Sequence, residues 1–156
     1  MGFIPMRSTF WYLYDISQKY NLHPIKSSIL LSTGQTLIDF PVDILKTRQI
    51  ISQTVKPNLF KMFGFHYMRN LSFSYTLLNC HYYNKQFNYP LHPVYSTFLG
   101  CSIGSIISQP FDVWKMKTFQ SLPIGRPAFT GIIPRLLITS TGITIGSIVH
   151  AIISNY

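Results

Sequence analysis

Glutamate is absent from this chain, and its only acidic residues are Asp15, Asp39, Asp43 and Asp112. Charged residues of both signs make up 11% of the 156 positions, less than half of the roughly 25% carried by an ordinary soluble domain. Cysteine is equally scarce. Cys80 and Cys101 alone exclude a disulfide scaffold and read as reduced helix residues. His23, His66, His81, His92 and His150 form no short ligand pattern, so they read as scattered interfacial residues and not as a metal site. No phosphate loop, nucleophile–base pair or paired carboxylates occur, which argues against an enzyme. The apolar poverty of a disordered chain is missing too, since 47% of residues are hydrophobic. One domain suits this length.

Against those four acids stand thirteen Lys and Arg, for a net charge of +9. A soluble nucleic-acid binder would carry its bases along one polar face. Here they cluster between long uncharged stretches: 26 residues over 86–111, 21 over 136–156, 15 over 70–84 and 12 over 27–38. A spanning helix needs about 20 mainly apolar residues. None of these stretches is a clean apolar run, and the mean hydropathy is only +0.20. Polar residues are nevertheless tolerated in spans that face a bundle interior. The expectation is an all-α membrane bundle. A soluble helical bundle is the alternative.

Five helices are expected near 5–20, 27–48, 63–83, 94–117 and 131–153, with Pro24, Pro57, Pro90, Pro93, Pro123 and Pro127 in the connections. The second and fourth connections hold Lys46, Arg48, Lys56, Lys61, Lys115, Lys117, Arg126 and Arg135, whereas the first and third hold Lys19, Lys26 and Lys85. Eight bases alternating with three fit a positive-inside bias. No transit or signal peptide is evident at the start. Trp11, Tyr82 and Tyr83 suit interface belts. Gly100 with Gly104, and Gly142 with Gly146, have the small-xxx-small spacing of closely packed helices.

A motif repeats. Pro41, Asp43, Lys46 and Arg48 form P-x-D-x-x-K-x-(K/R), and Pro110, Asp112, Lys115 and Lys117 form it again 69 residues later. Proline removes a backbone donor and kinks a helix, and Asp and Lys three residues apart share a helix face. Such a pair could simply solvate a helix end. Two aligned copies favour contacts between repeats.

This pattern resembles the mitochondrial carrier family, whose signature lies at the matrix ends of odd-numbered helices. Gly131, Pro134, Arg135, Leu136 and Leu137 resemble the family's helix-start motif, and Gln49 sits where the family places its glutamine brace. Tyr14 and Asp15 resemble the end of an even-numbered helix. The resemblance implies a transmembrane bundle of carrier type with about five helices, the first signature helix missing: a partial even helix over 1–22, one repeat over 23–84 and another over 85–156. It also implies a matrix gate of Pro41, Asp43, Lys46, Gln49, Pro110, Asp112 and Lys115. Arg69 and Asn70 fall at a substrate-contact position in the manner of keto acid and dicarboxylate carriers. Arg suits carboxylate through its planar fork, although it could equally pair with a carbonyl or a lipid phosphate. The final helix has Ile138 at the equivalent place.

Departures are as plain. The chain has about half a carrier's length and two of three signatures. The opposite gate has decayed: Gln18 stands at a basic position and Asn84 at an acidic one. The resemblance therefore implies a multi-pass protein of the mitochondrial inner membrane that has lost transport and serves as an accessory subunit of a larger assembly, such as a respiratory complex. The alternative is a transporter completed by another chain. Membrane lipid and other membrane subunits are the expected partners, nucleic acid is not, and cardiolipin is the only cofactor considered. The resemblance also implies that the acid of one repeat pairs with the base of the next, so Asp43 is expected within about 4 Å of Lys115. Lys46 and Asp112 are predicted to lose their partners with the missing helix, and to be covered by protein or lipid.

Overall fold

The structure is a computed structural model describing residues 3–51, 58–87, 92–120, 122–123, 129 and 131–154. Five helices follow one another: α1 (Phe3–Lys19), α2 (Pro24–Ile51), α3 (Leu59–Gln86), α4 (Pro93–Phe119) and α5 (Ile132–Ser154), with no strand among the described residues. Each expected helix is present; α2, α3 and α4 extend further at both ends, while α1 and α5 match their expected bounds to within two residues. The polar caps account for two of the early starts. The Asn58 side chain accepts from the Lys61 amide at 3.1 Å, and His92 Nδ1 accepts from the Val94 amide at 3.4 Å, with Pro93 in the first turn. The α1–α2 turn passes through Asn21 at φ +46°, a left-handed conformation that Asn tolerates. Of the residues expected between helices, Lys56, Pro57, Pro90, Arg126 and Pro127 lie outside the described residues.

Consecutive helices pack side by side, α3 and α4 most extensively. Gly100 explains part of that intimacy: a Cβ there would lie 3.2 Å from the Leu77 Cα and 3.2 Å from the Cys80 Cβ. At Gly104 a Cβ would come within 3.1 Å of the Phe73 ring. This is the close approach expected of their spacing. The second glycine pair behaves differently, because Gly142 is exposed while Gly146 faces Trp11 of α1. Trp11 therefore belongs to the interior, stacked edge-on against Phe10 and Tyr14. It does not sit in a surface belt. Its contact brings the first and last helices together.

Polarity is inverted relative to a water-soluble bundle. Among the described residues, seventeen polar or charged side chains are buried against eight hydrophobic ones, and thirty large hydrophobic residues are exposed. Many buried hydroxyls are satisfied within their own helix: Ser28 donates to the Pro24 carbonyl at 2.6 Å and Ser32 to the Ser28 carbonyl at 2.5 Å. The hydrophobic core is small, built on Phe10, Leu31, Leu77, Leu78, Cys101 and Ile143.

The expectation of five spans meets a difference here. Among the described residues, only α5 is long and apolar enough by itself to cross a membrane, over Ile132–Val149 at a mean hydropathy of 1.6. Serine, threonine, histidine and charge hold the hydropathy of α2 to α4 down, although α2 and α3, at 28 residues each, reach about 42 Å.

Candidate functional site: an ion cluster beneath a central cavity

Helices α2 and α4 run through their motif prolines, Pro41 and Pro110, without breaking. Asp43 and Lys46 then lie on the inner stripe of α2 with Gln35 and Asp39, at spacings of three and four residues. These four side chains line a cavity of about 400 Å³ to which every helix contributes. Trp11 comes from α1, Arg69 from α3, Asp112 from α4 and Arg135 from α5.

At one end of the cavity the charges pair across helices. Lys115 Nζ donates to Asp43 Oδ2 at 2.6 Å, within the predicted distance, and lies 3.7 Å from Asp112 Oδ1. Asp112 also accepts from Arg69 Nη1 at 3.2 Å and pairs with Arg135. Three cations thus share two carboxylates, a surplus of one positive charge. Lys115 is only 6% exposed, so desolvation is severe and its stability depends on those partners.

Each arginine is held from several sides. Asn70 Oδ1 accepts from Arg69 Nε at 3.1 Å and from Nη2 at 2.9 Å, while Asn70 Nδ2 donates to Thr36 Oγ1 on α2 at 3.0 Å. Arg135 donates to Gln109 Oε1 at 2.7 Å and to Ser108 Oγ at 2.6 Å. The expected substrate pair Arg69 and Asn70 therefore binds protein as well as lining the cavity.

Two expectations are overturned. Asp112 is not left without partners, because Arg69 and Arg135 both pair with it. Lys46 is engaged as well. Lys115 and Arg135, counted above among the bases of the fourth connection, instead stand in ion pairs inside the bundle. The positive alternation is thus partly the cluster itself. Gln49 is exposed.

Sequence reading missed His66. It is 1% exposed, so it is not interfacial. Its Nδ1 lies 3.5 Å from Asp43 Oδ2 and its Nε2 3.2 Å from Arg69 Nη2. A single histidine in an apolar run carries no spacing signal, and only its three-residue offset from Arg69 hinted at a shared face. Asp39 was read as an interruption of an apolar stretch, whereas it is buried on the cavity wall. No group of three His, Cys, Asp or Glu able to hold a metal occurs among the described residues. Set against protein-family models, curated proteins and solved structures, the chain matches none of them.

Proposed function

We propose that the chain is a carrier-type bundle of the mitochondrial inner membrane, without the first signature helix, that fills a structural place in a larger membrane assembly and no longer moves solute. The repeated motif supports the family reading. The inverted polarity supports a lipid environment: apolar side chains on the outside cost little in hydrocarbon, and a hydroxyl-rich interior is met by internal hydrogen bonds. Arg69 is the observation that carries the loss of transport. An arginine that captures a passing carboxylate needs free donors facing the cavity, but this one is clamped by Asp112 and Asn70.

Blue-native electrophoresis of detergent-solubilised membranes tests the proposal. Comigration with a large complex is the expected result. Migration alone, together with uptake of a labelled dicarboxylate or keto acid into proteoliposomes, would sink it. That outcome is the second reading, and the cavity lined from all five helices is what favours it.

A further inference from the structure

His66 stands between two ion-paired groups, Asp43 with Lys115 on one side and Arg69 with Asp112 and Arg135 on the other. The Phe40 ring packs nearly edge-on to the imidazole, with centroids 5.7 Å apart, and restricts its plane. A guanidinium has donors only and keeps its charge. The Nε2 that faces Arg69 must therefore present a lone pair. The ring hydrogen then belongs on Nδ1, which faces Asp43 Oδ2 at 3.5 Å and is buried with no other hydrogen-bond partner among the described residues. A neutral Nδ1–H imidazole so placed completes one polar path from Lys115 through Asp43, His66, Arg69 and Asp112 to Arg135, and this path joins α2, α3, α4 and α5.

We propose that His66 is a proton-operated latch on this path, closed when the ring is neutral and released when it is protonated. A proton on Nε2 would set donor against donor at Arg69. It would also place a fourth cation beside Lys115 of α4, Arg69 of α3 and Arg135 of α5, with only Asp43 of α2 and Asp112 of α4 to balance them. The imidazolium becomes a full competitor for Asp43. Lys115 has Asp112 at 3.7 Å to turn to, so the tie between α2 and α4 is the one that yields. The cavity that His66 lines gives the proton its route. Asp39 and Lys46 share that cavity with opposite charges.

The sign follows from proton binding. Protonation costs the folded ring its hydrogen bond from Arg69 and costs an unfolded chain nothing comparable, so acid favours the released state.

The full chain in detergent micelles, labelled with ¹⁵N-histidine, tests this. A version with His23, His81, His92 and His150 changed to Gln isolates the His66 signals. Expected at neutral pH is an Nδ1–H, Nε2-bare ring. On acidification the doubly protonated ring should appear together with a fall in melting temperature, and His66→Gln should lose most of that fall while His23→Gln keeps it. An Nε2–H ring at neutral pH would overturn the proposal. So would protonation with no change in melting temperature, or an undiminished acid fall in His66→Gln. Should His66→Gln not fold, the spectrum and melting curve of the His66-only chain still decide.

Discussion

Asp43 of α2 and Lys115 of α4 are 72 residues apart in sequence and 2.6 Å apart in space. Asp43 is the acid of the first copy of the motif and Lys115 the base of the second, so the contact joins one repeat to the next. Lys115 is buried and Asp43 is partly open, with a third of its side chain exposed. Removing the acid leaves the lysine to Asp112 alone. Asp43→Asn is expected to destabilise the bundle by about 2 kcal/mol, below the 3–5 kcal/mol of a wholly buried pair because of that exposure and the second acid. Exchanging the two residues, Asp43→Lys with Lys115→Asp, should recover part of the loss in a double-mutant cycle. Strict additivity of the two single changes would show that the pair contributes nothing.

Packing at the α3–α4 seam is open to a direct comparison. Gly100→Ala puts a methyl group 3.2 Å from backbone on α3, whereas Gly64 has nothing within 4 Å. Overpacking of this kind costs about 1–3 kcal/mol. Thermal melts of Gly100→Ala, Gly104→Leu and Gly64→Ala should therefore rank the two seam variants well below the third. Equal melting temperatures would mean that the seam can widen freely.

Arg135 anchors α5 through Asp112, Gln109 and Ser108 of α4. A lysine can supply the charge but not the planar fork that reaches all three acceptors. Arg135→Lys is expected to behave more like Arg135→Ala than like wild type, and proteolysis should then release α5 first. The exposed Arg48 is the control, for which replacement by Lys should be silent. Full retention of protease resistance in Arg135→Lys would reduce the residue to a point charge.

The multi-pass reading proposed above can be tested on α3. Lys61 and Lys85 lie near its opposite ends and are both exposed, about 36 Å apart along the axis by the rise per residue. With Cys80 and Cys101 replaced by Ser, Lys61→Cys and Lys85→Cys should react from opposite sides of intact membrane vesicles with an impermeant maleimide. In the proposed topology Lys61 is the end on the matrix side. Labelling of both from one side would mean that α3 does not span.

Much of this architecture could be read along the chain. Helix positions followed from the charge gaps and prolines, and α3 and α4 begin at residues that cap them locally, Asn58 and His92. The Asp43–Lys115 pair followed from what the carrier resemblance implies for the two motif copies. The rest of the cluster did not, since Arg69 meets Asp112 across 43 residues that show no periodicity linking them. Arg135 stood in a quoted motif but was read as the start of a helix. Its reach to α4 depends on where the fourth connection sets α5 down. Burial of His66 likewise depends on three helices converging, which composition does not encode.

The serines of the interior have a consequence for how the chain can vary. Where a hydroxyl such as that of Ser28 or Ser32 bonds to its own helix, exchange for alanine removes donor and hydrogen bond together and orphans no partner on a neighbouring helix. Such positions can change one at a time without a compensating change elsewhere. The register of the helices is then pinned at few points, among them Asn70 with Thr36, Ser102 with Ser140, and the ion cluster. A bundle of this kind can drift far in sequence while its shape is kept by a handful of residues.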